Sequence, residues 1–265
     1  MPGDNERLIP AQRREELLRH LRRSGGVLSV RQLMDVLHVS HMTVRRDIET
    51  LEREGLTYSI PGGVRLANSV REPAFPVKAE SEQPLKAAIA EAAKTLLHDD
   101  MVVYLDAGTT TGALVPHITE HRGITVITND FVIVDTLMET ADDIDVIHVG
   151  GRVEIKNRST VGQLAAQTLR HLNADLAFIS TSAWDLTRGI TTPSASKVGV
   201  KTAAIEASSS AVLLVTSSKF GRFGTYRIVG LQRFDRIITD TGLPAAAAQG
   251  IRDAGILIDL VQPAA

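Results

Sequence analysis

The stretch Val39-Ser-His-Met-Thr-Val-Arg-Arg-Asp-Ile-Glu-Thr-Leu-Glu52 decides the fold of the N-terminal part of the chain. Ser40 can cap a helix, and Val44, Ile48 and Leu51 recur at i, i+4 and i+7, so the spacing predicts a helix from Ser40 towards Gly55 with one buried stripe. With that stripe inward, Met42, Arg46, Glu49 and Arg53 point outward and Thr43 and Arg45 flank them. Guanidinium groups suit phosphate or the O6/N7 edge of guanine, a hydroxyl suits phosphate, and an apolar group suits a thymine methyl. The same face also reads as a solvated helix with a Glu49–Arg53 pair at i,i+4. The neighbouring segments decide between the two.

Upstream, Pro10 suits a first helical turn, and Leu17, Leu18 and Leu21 form a stripe that Gly25-Gly26 ends. Ser29-Val-Arg-Gln32 is a capping box that opens a second helix through Leu33, Val36 and Leu37, followed by a turn at His38-Val-Ser40. Downstream, Leu56-Thr-Tyr-Ser-Ile60 and Val64-Arg-Leu66 flank Pro61-Gly62-Gly63 as a short hairpin. Helix, helix, tight turn, helix and hairpin is the plan of a winged helix-turn-helix. It makes Ser40, Met42, Thr43, Arg45 and Arg46 the candidate contacts to double-stranded DNA. Residues 1–66 hold 11 basic groups, all arginine, against 9 acids, whereas the remainder is acidic and the whole chain carries −2; so small a local excess argues for nucleic acid only if the arginines share a face.

The chain has 265 residues, 43% of them hydrophobic and 4% aromatic, enough for two unequal domains. The absence of cysteine removes thiol nucleophiles, Cys-ligated zinc and thiol redox chemistry. No apolar leader opens the chain, and runs such as Ala211-Val-Leu-Leu-Val215 are far shorter than a membrane span of about 20 residues, so a cytoplasmic protein without membrane contact is expected.

Residues 67–82 carry two prolines and mixed charge without periodicity and read as a linker between a 1–66 DNA-binding domain and an 83–265 domain. In the latter, apolar β-branched runs at 102–105, 125–128, 146–149, 176–179, 212–215, 237–239 and 256–260 alternate with helical segments. An α/β domain with a mostly parallel sheet is expected. Such sheets bind ligands beyond the carboxyl ends of their strands. Three such ends carry small polar residues: Asp106-Ala-Gly108-Thr109-Thr110-Thr111, Thr128-Asn129-Asp130 and Gly150-Gly151. The first reads equally as an anion cradle at a helix start or as an ordinary capped turn. Lys201 and Lys219 read as ligand cations or as surface lysines. No dinucleotide or P-loop glycine signature occurs.

Thr43-Val-Arg-Arg-Asp47, with Gly55 and Gly62-Gly63, resembles the N-terminal domain of DeoR-family transcriptional regulators. The resemblance continues through Asp106-x-Gly-Thr-Thr-Thr111, Thr128-Asn129, Gly150-Gly151, the Gly162 to Leu169 helix, Ser218-Lys-Phe-Gly221 and Ile238-Thr-Asp240. It implies that Thr43, Arg45 and Arg46 enter the groove while Asp47 orders the helix. It implies a sensor domain similar in fold to ribose-5-phosphate isomerase and CoA transferases. Its effector site would comprise Asp106, Gly108, Thr109, Thr110, Thr111, Thr128, Asn129, Gly150, Gly151, Lys201 and Lys219. The expected function is a ligand-responsive regulator, a repressor of a sugar or sugar-acid catabolic operon, acting as a homo-oligomer without cofactor or metal. The competing expectation is a sugar-phosphate isomerase-like enzyme fused to a DNA-binding domain.

The chain departs from that pattern in three places. Thr216 stands where the family often has Asp, Ser194-Ala-Ser-Lys197 where it has acids, and Phe178-Ile-Ser-Thr-Ser-Ala183 where it is glycine-rich. Lost acceptors and the added Lys197, four residues before Lys201, lead to the expectation that Lys197 joins the effector site and that the effector carries an anionic group besides its phosphate.

Overall fold

The computed structural model describes residues 8–24, 26–54, 56–60, 62–66, 68–69, 72–141 and 143–263. They form two compact units, Met1–Asn68 and Ser69–Ala265.

In the first unit, α1 (Pro10–Arg23) begins with its proline in the first turn and buries Leu17, Leu18 and Leu21. After strand β1 (Val27–Ser29), the Ser29–Gln32 capping box forms as expected and opens α2 (Val30–Leu37). His38 ends α2 in the left-handed region, with φ of 52°. Ser40 then caps α3 (His41–Arg53), accepting from the Thr43 amide at 3.3 Å. The wing is β2 (Thr57–Ile60) and β3 (Gly63–Leu66), and β1 pairs antiparallel with β3. That third strand was not legible in the sequence. It forms because Gly63 lets the backbones approach: a Cβ there would stand 2.5 Å from the Leu28 carbonyl oxygen. One cluster of Leu17, Leu21, Leu33, Val44, Ile48, Leu51 and Val64 joins the three helices to the wing. Val36, expected in the stripe, is 40% exposed instead. The turn residues Gly25, Gly55 and Pro61 lie outside the described residues.

The second unit opens with α4 (Phe75–Glu80) and α5 (Gln83–Ala93). Within the stretch expected as an aperiodic linker, α4 is a helix. It is too short to show a period, and tertiary ion pairs described below hold it. Then follow β4 (Val102–Leu105), α6 (Thr109–Gly112), α7 (Val115–Ile118), β5 (Thr125–Thr128), α8 (Phe131–Thr140), β6 (Asp145–His148), the hairpin β7 (Arg152–Glu154) and β8 (Ser159–Val161), and α9 (Gln163–Leu169). The chain continues through β9 (Ala174–Ile179), β10 (Ala183–Asp185), β11 (Gly189–Thr192), α10 (Ala195–Glu206), β12 (Ser208–Leu214), β13 (Tyr226–Val229), β14 (Arg236–Asp240), α11 (Ala245–Asp253) and β15 (Leu257–Val261).

The seven apolar runs of the sequence are the seven strands of one parallel sheet, ordered β15-β14-β12-β9-β4-β5-β6. Val103, Leu105, Val126, Phe178, Val212, Leu214 and Ile238 fill its core against α5, α7 and α8. A small antiparallel sheet, β10-β11-β13, escaped the sequence reading because its strands of three or four residues are too short to show alternation. The order reverses at β4 and β9, the switch point where such sheets leave a crevice beyond the strand ends.

Candidate functional site

On α3, Met42 is 70% exposed, Arg45 and Arg46 are exposed and Thr43 is half-buried. The Ser40 and Thr43 hydroxyls lie 3.0 Å apart at the start of the helix. Asp47, by contrast, is only 3% exposed and forms a two-pronged pair with Arg13 of α1. The Asp47 hydrogen bond holds the Arg13 guanidinium above its ordinary range, outweighing burial. Asp47 therefore orders the helix and leaves the arginines beside it free to face outward. The Glu49–Arg53 pair of the solvated-helix reading does not form; Arg53 donates instead to the Thr50 hydroxyl at 3.1 Å.

In the second unit, the end of β4 is built around Asp106, which is buried. Its Oδ2 accepts from the Ser180 amide at 2.9 Å, from the Ser180 hydroxyl at 3.0 Å and from Lys201 Nζ, which also donates to the Ser180 carbonyl. Gly108 is needed for space rather than for an unusual φ: a Cβ would come within 2.5 Å of Ser180 Oγ. Asn129 ties three strand ends together. Its Oδ1 accepts from the Tyr104 hydroxyl at 2.9 Å and the Ala107 amide at 3.1 Å, and its Nδ2 donates to the Thr160 carbonyl. Asp130 caps α8 and accepts from the Gly108 amide at 3.1 Å. Burial, reinforced by Asp106, raises its carboxyl above the ordinary range despite these donors. The Thr128 hydroxyl donates to the Leu105 carbonyl and accepts from the Asp130 amide.

A small pocket lies beside this scaffold, lined by Asp106, Asn129, Asn157, Lys197 and Lys201 among others. A wider, more open cleft next to it is lined by Phe75, Gly108, Thr109, Asp130 and Ile133 among others. Around them stand five lysines. Lys201 pairs with Asp106. Lys197 pairs with Glu72 at 2.6 Å and lies 3.7 Å from Glu154. Lys78 pairs with Glu72 at 2.9 Å and donates to Asn157. Lys86 donates to the carbonyls of Lys78 and Ser81. Lys219 has no carboxylate at ion-pair distance among the described residues. Burial, with Lys78 and Lys86 nearby, pulls the Lys219 ammonium down to about 8. Burial also lowers Lys78 and Lys86, each of which feels a neighbouring lysine.

A model of the DeoR C-terminal sensor domain matches residues 81–241, and one of the DeoR-like helix-turn-helix domain matches residues 13–70. The chain belongs to the DeoR family. It is 42% identical to the uncharacterized HTH-type transcriptional regulator YgbI of Escherichia coli K12, over 95% of this chain and 98% of that one. It is 31% identical to a putative aga operon transcriptional repressor of Escherichia coli O157:H7, over 95% and 94% of the two chains. A ribose 5-phosphate isomerase A from Methanocaldococcus jannaschii is similar at a TM-score of 0.39 and 18% identity, over 53% of this chain and 55% of that one. This DeoR-family protein is thus a DNA-binding transcriptional regulator with a ligand-sensing domain.

The regulator brings together Asp106, Asn129, Lys197 and Lys201 around one cavity and Gly108 and Thr109 around the adjoining cleft. Gly150 and Gly151 are exposed and line neither. The anion cradle looks different from its sequence reading. The helix after Gly108 is a single turn, so its dipole is small. The amides of Ala107 and Gly108 donate within the scaffold, and the Thr111 hydroxyl donates to the carbonyls of Asp106 and Gly108. Lys197, expected to add a cation to the site, lines the pocket and is paired by Glu72. The carboxylates missing near 194 and at 216 are supplied through space, by Glu72 to Lys197 and by Glu82, which accepts from the Thr216 hydroxyl at 3.0 Å. Sequence reasoning missed Glu72, Lys78, Lys86 and Ser180. Pro76 in the first turn of α4 was the one local signal that the stretch around Lys78 is helical.

Proposed function

We propose that this regulator is a repressor of a carbohydrate catabolic operon and that a phosphorylated sugar or sugar acid binds its sensor domain to release it from DNA. The single observation behind the ligand class is Lys219: a cation with no carboxylate partner among the described residues, just beyond the carboxyl end of β12, with Lys78 and Lys86 near enough to help depress its pKa. An anion there relieves the desolvated charge. The sugar hydroxyls would find the Thr109 hydroxyl in the adjoining cleft. Ser40, Met42, Thr43, Arg45 and Arg46 form the surface laid in the major groove. One such helix covers few base pairs, so the active species is a homo-oligomer on repeated half-sites.

Binding rather than turnover is the expected outcome with sugar phosphates. The carboxylates at the strand ends, Asp106 and Asp130, are engaged by Ser180, Lys201 and backbone amides, which leaves no matched acid and base facing the cavity. A thermal-shift screen of phosphorylated sugars and sugar acids tests the ligand class, since a ligand of the native state raises stability by RT ln(1+[L]/Kd). No shift with any of them at millimolar concentration would refute it.

A further inference from the structure

Glu72 holds two lysines of the pocket with its two oxygens: Oε1 faces Lys78 at 2.9 Å and Oε2 faces Lys197 at 2.6 Å. This is how two oxygens of a ligand phosphate or carboxylate would sit. Lys197 lines the polar cavity together with Asp106 and Lys201. Lys78 is close enough to Lys219, Lys86 and Lys201 for its charge to be felt at each, or theirs at it.

Glu72 differs from every other acid in this cluster in what anchors it. Asp106 closes β4, Glu154 ends β7 and Asp130 caps α8, whereas Glu72 lies in an irregular stretch three residues before α4. Among the described residues no backbone hydrogen bond of Glu72 is found, and its polar side-chain partners are the two lysines. Burial alone would raise its carboxyl; Lys197 and Lys78 outweigh that and hold it at about 2. Protonation therefore does not free it at any physiological pH. A stronger anion can.

Resting on the reading of this pocket as an anion site, we propose that Glu72 is a built-in stand-in for the effector's anionic group, and that an organophosphate dianion displaces it from Lys78 and Lys197. A carboxylate offers two oxygens and one charge, which serve Lys78 and Lys197 and leave Lys219 unpaired. A phosphate offers three oxygens and up to two charges, enough for all three lysines. Displacement removes the two ion pairs that hold Glu72 and so frees the stretch that leads into α4.

The test uses the full-length protein and inorganic phosphate as probe, with calorimetric titration and hydrogen exchange of the peptide covering residues 72–80. A latch closed nine-tenths of the time weakens apparent affinity about tenfold, so Glu72→Gln should bind phosphate about tenfold more tightly than wild type. In wild type, saturating phosphate should speed exchange of 72–80; in Glu72→Gln exchange should be fast already and unresponsive. Glu72→Asp, with a shorter reach, should fall between them and serves if the Gln variant folds poorly. Unchanged or weaker phosphate affinity in both variants, or exchange that slows in wild type on adding phosphate, would overturn the latch. Lys219→Ala separates the two readings. If it loses phosphate binding while Glu72→Gln and Glu72→Asp match wild type, the anion site stands and the latch falls. If phosphate binds none of the proteins, both fall.

Discussion

Arg13 of α1 and Asp47 of α3 form a two-pronged ion pair, Nε to Oδ2 at 2.5 Å and Nη2 to Oδ1 at 3.0 Å, beneath the helix that carries the outward arginines. Removing one partner strands the other charge in a largely buried place. Asp47→Ala should therefore destabilise the N-terminal unit by about 3 kcal/mol, and Arg13→Lys, which loses the fork, should not be neutral. Denaturant unfolding of both variants checks this. A loss below about 1 kcal/mol for Asp47→Ala would show that the pair does not set the helix.

Arg46 is exposed one residue before that anchor. Replacing it by Ala should cost about 1–3 kcal/mol of specific DNA affinity if it reads a base, or lower the salt slope by about 1 if it holds a phosphate. Fluorescence anisotropy at several salt concentrations distinguishes the two. Identical affinity and slope in Arg45→Ala and Arg46→Ala would remove α3 from the groove.

Ligand binding should depend on pH through Lys219. Its ammonium loses its proton near pH 8 in the free protein, and a bound anion favours the protonated form and raises that pKa. Affinity for a sugar phosphate should thus fall as pH rises above about 8, by up to tenfold per unit, until the bound-state pKa is reached. Titrations in buffers of different ionisation heat should show proton uptake on binding between pH 8 and 9. The same series in Lys219→Met should be flat there.

Gly108→Ala places a methyl against a Ser180 hydroxyl already committed to Asp106 and the Ala107 carbonyl. Ser180 cannot turn away without leaving Asp106 short of a donor. A loss of about 1–3 kcal/mol in stability is expected, as for other overpacked sites, together with weaker ligand binding. Crystal packing of an unchanged Asp106–Ser180 contact in that variant, with wild-type stability, would contradict the role given to Gly108.

Legibility followed the length of the pattern. The Val44, Ile48, Leu51 stripe and the Ser29–Gln32 box are local signals, and the seven apolar runs are long and β-branched; helices and parallel strands came through with ends shifted by a few residues. Asp106 and Lys201 were picked out separately, but only the fold brings them together across 95 positions. Glu72 could not be found this way, because its partner Lys197 is 125 residues distant and its own neighbourhood has no period. The pairing of Lys197 was therefore hidden from a reading along the chain. A charge balance read along the chain counts the wrong neighbours when the neutralising acid arrives from elsewhere.

In the proposed function, one protein reads DNA with α3 and is released through an anion at Lys219. The most direct test is anisotropy with labelled double-stranded DNA, selected by wild-type protein from genomic fragments, with and without the sugar phosphate that gives the largest thermal shift. Wild type should bind and be released by the ligand, Arg45→Ala/Arg46→Ala should not bind, and Lys219→Ala should bind the DNA yet stay bound when the ligand is added. Release of Lys219→Ala at the wild-type ligand concentration, or tight sequence-specific binding by the double arginine variant, would contradict the account.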